Sequence, residues 1–310
     1  MSSTFFQNQF LIYPKERYFI LILIMNNIAK AEHYIPQFYL KNFTKKRDKK
    51  SPTYVFDLKT NKIRRSSIRK IAFENNFCNL KVRNLDAIVS IEDVLSKIES
   101  KIAPSLEKLI FHLNPNVLSG EERLQLSNFF SLLLSRNPRK RKLHKQMIEG
   151  VKKKFGEKMT PEFEKKITLS EDELKLSMFR IIKIYLDEVS PIFYNFKWSV
   201  GLGNFFARIH TSDNPLVRYN PKSDKFRSTL GLLCEGIQLI LPLTPSICLF
   251  MYHAKDYPDM KTFFNFNEEN VLFIKSALVG QANRWLFAQN KFDFDVRKGM
   301  RASNKVIEIL

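Results

Sequence analysis

The spacing of apolar residues divides the chain into a hairpin region, a helical middle and a strand-rich last part. Between residues 53 and 69, two β-rich runs flank a polar Lys-Thr-Asn-Lys turn, which predicts a β-hairpin. From residue 86 to residue 111 apolar side chains recur at helical spacing, which predicts a long helix with a kink at Pro104. The first third should therefore contain a small hairpin followed by a long helix.

Two capping boxes predict where further helices begin. Ser119 with Glu122 precedes EERLQLSNFFSLLLSR, a run that is apolar around most of its circumference and is therefore expected in the core. A second box at Ser170 opens EDELKLSMFRIIKIYLDEV, which the Ser-Pro pair at 190–191 is expected to stop. The middle of the chain, about 86–190, is accordingly predicted to be a helical block.

Residues 196–253 change character and hold the strand-like runs KWSVGL, FFARIHTSD, GIQLILPLT and SICLFMYH. Several runs are almost continuously apolar, which predicts a buried, mainly antiparallel sheet in the C-terminal half. Asn267 is expected to cap a closing helix that runs to Asn290. The predicted fold class is α+β, with a largely helical N-terminal and central part, and residues 32–310 are expected to form a single compact domain because no internal repeat or linker appears.

The first 31 residues are expected to be an N-terminal extension outside the core. The run KERYFILILIM resembles a signal peptide, but its apolar part is too short to span a bilayer and no small-residue cleavage site follows. Met25 opens a segment typical of a natural start, so translation from Met1 or from Met25 stays open. With no long apolar segment and three cysteines without metal spacing, the sequence favours the cytoplasm and no membrane contact.

Basic residues exceed acidic ones by 20 and are concentrated in two runs. From residue 41 to residue 70, twelve Lys/Arg face two Asp/Glu, for a net charge of +10; from residue 136 to residue 166, twelve face four, for +8. These runs favour a nucleic-acid partner, although a solvated face or a protein partner explains them about as well. The residues expected to contact nucleic acid are Lys45, Lys46, Arg47, Arg64, Arg65, Arg139, Lys140 and Arg141.

Most sequence signatures of catalysis are missing. The chain has no GxGxxG, GxxxxGK[ST], GxSxG or HExxH pattern, and only nine glycines in all. A nucleotide cofactor held by a glycine-rich loop is therefore not expected. No cofactor is predicted with certainty, and a divalent metal stays open.

His33 is the first candidate for acid/base chemistry. Tyr34, Gln37 and Tyr39 place hydroxyl and amide groups beside it, and Pro36 fixes the backbone between them. An isolated histidine is as often a structural residue, so the two roles are equally weighted.

Asp213 and Arg136 are the other two catalytic candidates. Asp213 and Asn214 follow an apolar run, where carboxylates commonly reach a site, yet such turns more often satisfy only the main chain. Arg136 ends an apolar helix and offers a rigid fork of donors for phosphate; its alternative role is a buried ion pair with Glu99.

Five segments in a fixed order carry a resemblance to a known family. They are HYIPQFYLKNF, YVFDLKTNKI, SKIESKIAPSLEKL, LLLSRNPRKR, and TSDNPL followed by ILPLTPSICLFM. Together they resemble the domain-of-unknown-function 4238 family of uncharacterised, mostly bacterial proteins, over roughly residues 32–290. Asn137, where a threonine-like residue is common, is the one departure noted. The family pattern falls on His33, Tyr34, Pro36, Phe38, Leu40, Phe43, Glu99, Arg136, Pro138, Asp213, Asn214 and Pro215.

The resemblance implies no activity, so function rests on the residues. The leading hypothesis is a nucleic-acid-cleaving hydrolase, of the kind found in toxins or phage-defence effectors, in which His33 is the acid or base, Asp213 an orienter or metal ligand and Arg136 the phosphate clamp. Tyr34, Gln37, Glu99 and Asn214 would support them. The alternative is a noncatalytic module that binds nucleic acid or protein, in which these residues belong to the core.

Overall fold

The structure is a computed structural model of the chain. It describes residues 31–75, 79–82, 87–90, 92–137, 146, 149–156, 160, 171–203, 208–223 and 230–294. Several predictions lie outside these residues: the N-terminal extension with Met25, the capping serine at 170, and most of the second basic run. That run includes Arg139, Lys140 and Arg141.

The described chain alternates between strands and helices in the order expected of an α+β fold. The helices are α1 Gln37–Leu40, α2 Glu92–His112, α3 Gly120–Ser135, α4 Glu171–Ile184, α5 Ser190–Asn195 and α6 Glu268–Gln281. The strands are β1 Ala31–His33, β2 Pro52–Asp57, β3 Lys62–Ser67, β4 Phe73–Asn75, β5 Asn79–Val82, β6 Ala87–Ser90, β7 Lys197–Gly203, β8 Thr211–Ser212, β9 Val217–Tyr219, β10 Gln238–Thr244, β11 Ile247–Tyr252, β12 Phe263–Phe266 and β13 Trp285–Ala288.

The predicted hairpin, the long helix and the first capping box are confirmed, but the helix begins at Glu92 and not near residue 86, because residues 87–90 form strand β6 paired with β5. Helix α2 contains Pro104 within its length, and Ser119 and Glu122 exchange both capping hydrogen bonds at the start of α3. Helix α3 is buried along its C-terminal half, as its apolar circumference predicts.

The predicted stop at residues 190–191 is wrong. Helix α4 passes into one π-helical turn at Tyr185–Val189, and α5 continues from Ser190 to Asn195 with Pro191 in its first turn. A proline in the first turn gives up only an N–H that would be unpaired there, so the helical path continues past it.

A five-stranded sheet forms most of the C-terminal half. Its order is β12-β7-β11-β10-β9, and every pair is antiparallel except the parallel pair of β12 with β7. A side chain at Gly201 in β7 would come within 2.8 Å of the Phe250 and Phe266 rings, so this glycine lets the two strands pack closely. The predicted buried, mainly antiparallel sheet is confirmed.

A second, four-stranded sheet joins the predicted hairpin to the end of the chain in the order β3-β2-β13-β8. The sequence predicts a closing helix as far as Asn290, but α6 ends at Gln281 and residues 285–288 form strand β13. Asn267 does cap α6. The run FFARIHTSD, predicted as a full strand, contributes only the two-residue strand β8 within the described residues.

The signature segment, residues 33–43, packs between the two sheets. The Tyr39 hydroxyl donates to the carbonyl of Pro242 in β10 at 2.7 Å and lies 2.7 Å from the Thr211 hydroxyl in β8. Its neighbours Phe38 and Phe43 are buried in the main core, which also includes residues of α2, α3 and both sheets. This segment is therefore an internal connection between the layers.

No helix among the described residues is both long and apolar enough to cross a membrane.

Candidate functional site

Arg136 lies at the C-terminal end of α3 and joins three distant parts of the chain. Its side chain is 1% exposed, and its Nη1 contacts Glu99 Oε1 of α2 at 2.5 Å. Its Nη2 donates to the backbone carbonyl of His33. The guanidinium fork is thus directed at a helix carboxylate and at the signature segment, as the predicted Glu99–Arg136 pair requires.

Asp213 follows β8 and binds the chain that enters β13. Its Oδ1 accepts from the Asn283 backbone N–H at 2.7 Å, and its Oδ2 accepts from those of Arg284 and Trp285 at 2.9 and 3.0 Å. Burial raises the pKa of Asp213 to about 6, although the three N–H donors act in the opposite direction. The carboxylate therefore has both oxygens engaged in holding main chain.

The His33 ring is partly buried beside Phe73 and within 3.3 Å of Gln37 Nε2. Burial lowers the pKa of His33, and the positive charges of Arg136 and Lys49 lower it further. His33 is therefore neutral at pH 7 and is held by its own helix turn.

Amide side chains complete this cluster. Asn214 donates to the carbonyl of Gln281 at 2.8 Å, and Asn283 donates to Asn137 Oδ1 at 2.9 Å. The residues that the sequence analysis selected from the segments at 33, 136 and 213 are thus gathered around one junction of main chain. Their hydrogen bonds within the described part of the chain are with each other or with backbone, which is the arrangement of a structural junction.

Next to this junction lies a pocket of about 170 Å³ on the β2–β13 side of the four-stranded sheet. The pocket is lined by Tyr34, Val55, Arg64, Lys70, Ile71, Ala72, Phe73, Trp285 and Phe287. Tyr34 is 6% exposed, and burial together with the charges of Asp213 and Glu74 raises the pKa of its hydroxyl. The Tyr34 hydroxyl makes no hydrogen bond to another residue that the structure describes.

The pocket has a basic edge made by Arg64 of β3 and Lys70, which we call the cationic rim. Both side chains are exposed, and neither forms an ion pair within the described part of the chain. The Arg64 guanidinium lies 5.6 Å from the Trp285 ring centroid, while Arg284 covers the same ring at 4.3 Å and is paired with Asp57. The cations of the rim are accordingly available for an anionic ligand.

The other basic residues singled out in the sequence do not all share this surface. Arg65 points to the opposite face of the hairpin, where it lies 5.6 Å from the Tyr54 ring. Arg47 pairs with Glu107 at 2.9 Å, whereas Lys45 and Lys46 are exposed in the loop after the signature segment. The structure therefore divides the first basic run among at least two surfaces.

Sequence reasoning missed Lys70, Trp285 and Asn283 as parts of this region. Lys70 was one lysine in a run, and Trp285 fell within a segment predicted to be helical. An apolar strand bearing one tryptophan after a polar Gln-Ala-Asn-Arg stretch was the available signal for β13.

No three His, Cys, Asp or Glu side chains come together as metal ligands in the ranges that the structure describes. Asp213, the metal ligand considered in the sequence analysis, has both oxygens on backbone N–H groups.

A comparison with family models matches residues 32–292 to the model described as "Protein of unknown function (DUF4238)". The chain belongs to the DUF4238 family. The match extends from the signature segment to the end of the four-stranded sheet, so the DUF4238 region includes the junction and the pocket. Searches of curated proteins and of solved structures found no match to this chain.

Proposed function

We propose that this DUF4238 protein binds nucleic acid at the cationic rim of the pocket. The observation that carries the proposal is that Arg64 and Lys70 line a concave site without a carboxylate partner among the described residues. A guanidinium and an ammonium beside a pocket suit phosphate oxygens, which the backbone of a nucleic acid supplies at regular spacing.

The charge around the rim supports a polyanion rather than an isolated acidic side chain. Between residues 58 and 70 the chain holds six Lys/Arg and no Asp/Glu. These six are Lys59, Lys62, Arg64, Arg65, Arg69 and Lys70. Arg65 lies on the opposite face of the hairpin, but the excess of positive charge in this segment still attracts phosphate chains through release of condensed counterions, and this attraction weakens as salt rises.

The contacts at the junction support binding over catalysis. Arg136 is held by Glu99 and the His33 carbonyl, and Asp213 is held by three backbone N–H groups. A phosphate clamp or a general base needs those same atoms for its substrate. Releasing either residue for chemistry would leave buried groups without partners.

The test is a binding titration of labelled single-stranded and duplex DNA and RNA at several salt concentrations. We expect the Arg64→Gln/Lys70→Gln variant to bind more weakly than wild type and to lose about 0.7 in the slope of log K against log salt for each cation removed. The matched control is Lys255→Gln/Lys261→Gln, which removes the same charge from two exposed lysines elsewhere. If both variants lose the same amount of affinity, net charge alone explains the loss, and the assignment of binding to the cationic rim is overturned.

Cleavage of nucleic acid is the second candidate and includes the toxin or phage-defence role. The supporting observation is that Asp213, with a pKa of about 6, and the neutral His33 both lie next to the pocket residue Tyr34. A carboxyl group whose pKa is raised to about 6 and a neutral imidazole nearby suit proton transfer.

A cleavage assay on the same labelled substrates, with and without chelator, tests this second candidate. His33→Ala, shown to be folded by its denaturation curve, is compared with wild type and with His112→Ala, which changes an exposed histidine on α2. Cleavage that is lost only in His33→Ala would establish a nuclease. If all three proteins bind the substrates without cleaving them, the cleavage function is overturned and only the binding function remains.

A further inference from the structure

The pocket is lined by buried apolar side chains as well as by the charged rim. Val55, Ile71, Ala72 and Phe287 are buried wall residues, and the volume is about 170 Å³. Sites for drug-sized ligands have about 300–1,000 Å³. A cavity of about 150 Å³ holds one benzene ring, so the space here matches a single six-membered ring and little more.

Tyr34 adds a hydroxyl-bearing side chain to the lining of the pocket. Tyr34 is 6% exposed as a whole residue, and its hydroxyl has no hydrogen-bond partner among the described residues. A ligand that offers a donor or an acceptor at this point can form a hydrogen bond with the Tyr34 hydroxyl. The ring that enters should therefore carry hydrogen-bonding groups on its edge.

The rim determines what must be attached to that ring. Arg64 and Lys70 line the same pocket and are exposed, so a ring inside the pocket has a phosphate-binding pair at the opening. A flat polar ring joined through a short spacer to a phosphate describes a pyrimidine nucleotide.

We propose that the pocket takes one unpaired pyrimidine nucleotide, with the base against the apolar wall and the Tyr34 hydroxyl and with its phosphate on Arg64 and Lys70. The proposal deepens the nucleic-acid-binding function and rests on it for the polymer. A base in a duplex is stacked and paired, and extracting it costs free energy, so the protein should prefer a single strand.

The experiment measures affinities for uridine monophosphate, uridine, inorganic phosphate, adenosine monophosphate, a single-stranded oligouridine and an RNA duplex of equal length. Tyr34→Phe removes only the hydroxyl, and Lys70→Gln removes one rim cation. The matched control is Tyr54→Phe, which changes a tyrosine of the β2–β3 hairpin on the face that is turned away from the pocket. Denaturation curves confirm that each variant is folded.

We expect oligouridine to bind at least tenfold more tightly than the duplex and uridine monophosphate more tightly than adenosine monophosphate. Tyr34→Phe should weaken oligouridine and uridine monophosphate about tenfold without changing the salt slope. Lys70→Gln should weaken uridine monophosphate but not uridine, and Tyr54→Phe should match wild type.

Three other results separate the pocket from the wider function. Equal binding of single strand and duplex with no effect of Tyr34→Phe would overturn the pocket and leave the nucleic-acid function standing. Uridine monophosphate binding that depends on Tyr34, without polymer binding, would support the pocket and overturn the polymer function. Binding of inorganic phosphate as tightly as uridine monophosphate would overturn the role of the base.

Discussion

At the scale of single residues, buried ionic groups hold distant backbone segments together. Arg136 secures the carbonyl of His33 to helix α2 through Glu99, and Asp213 gathers the three N–H groups before β13. Buried charges are tolerated only when their hydrogen bonds are satisfied. These contacts give the family-signature positions an architectural role.

Replacing Arg136 with Met should reduce the free energy of unfolding by about 3 kcal/mol or more, because Glu99 and the His33 carbonyl lose their shared donor. The matched control is Arg47→Met, which breaks the exposed pair with Glu107 and should cost about 0–1 kcal/mol. Chemical denaturation measures both. Similar small losses would show that the Arg136 contacts contribute little.

Replacing Asp213 with Asn should cost about 1–3 kcal/mol at pH 7, because an amide NH₂ cannot accept from the backbone N–H groups before β13. Asp259→Asn, at an exposed position, should change the stability by less than about 0.5 kcal/mol. Urea titrations measure the free energy of unfolding of both variants. Equal stability of the two would contradict the claim that Asp213 holds the backbone before β13.

The acid titration of Asp213 gives a separate test. Its pKa is raised from 3.8 to about 6, so between these values the folded state holds a proton that the unfolded state releases. Stability contributed by this group therefore falls as pH rises through that window. From pH 7 to pH 4, wild type should gain up to about 3 kcal/mol relative to Asp213→Asn. A relative loss toward pH 4 would mean that the N–H donors outweigh burial and that the pKa is below 3.8.

At the scale of elements, the signature segment works as a spacer between the two sheets. The Tyr39 hydroxyl bonds β10 and contacts β8, and the Thr53 hydroxyl donates to the carbonyls of Phe43 and Ala288. The aromatic and proline positions of HYIPQFYLKNF are thus buried contacts, while the lysines that follow form an exposed loop.

Tyr39→Phe tests this connection because it removes one hydroxyl and keeps the ring. The Pro242 carbonyl then loses its donor in a buried place, so we expect a loss of about 1–2 kcal/mol of stability. Tyr54→Phe changes a partly exposed tyrosine of the hairpin and should have less than about 0.5 kcal/mol of effect. Thermal unfolding of both variants gives the comparison, and equal midpoints would contradict the bridging role.

Local patterns predicted the elements well where a single segment decides its own structure. The capping boxes at Ser119 and Asn267 and the apolar runs of β10 and β11 depend on neighbours within a few residues. Strand β13 was missed because its structure depends on pairing with β2, more than 200 residues earlier. A single amino-acid sequence does not show which strands pair when they are far apart along the chain.

At the scale of the whole molecule, the junction could be predicted from the sequence, but the pocket could not, because the pocket depends on pairing between distant strands. His33, Arg136 and Asp213 were predicted as one candidate site from their residue types and positions in the sequence, and the structure brings their segments together. The pocket needs β3, Lys70 and β13 side by side, which only tertiary pairing supplies. The sequence therefore predicted the junction and missed the pocket.

The central claim is that nucleic acid binds at the pocket and its cationic rim. Photocrosslinking of a single strand containing 4-thiouridine to the wild-type protein, followed by mass spectrometry of the crosslinked peptides, tests it most directly. We expect crosslinks within residues 62–73 and 284–288, which contain the rim, Trp285 and part of the pocket wall. A strand that binds but crosslinks to neither segment would contradict the claim.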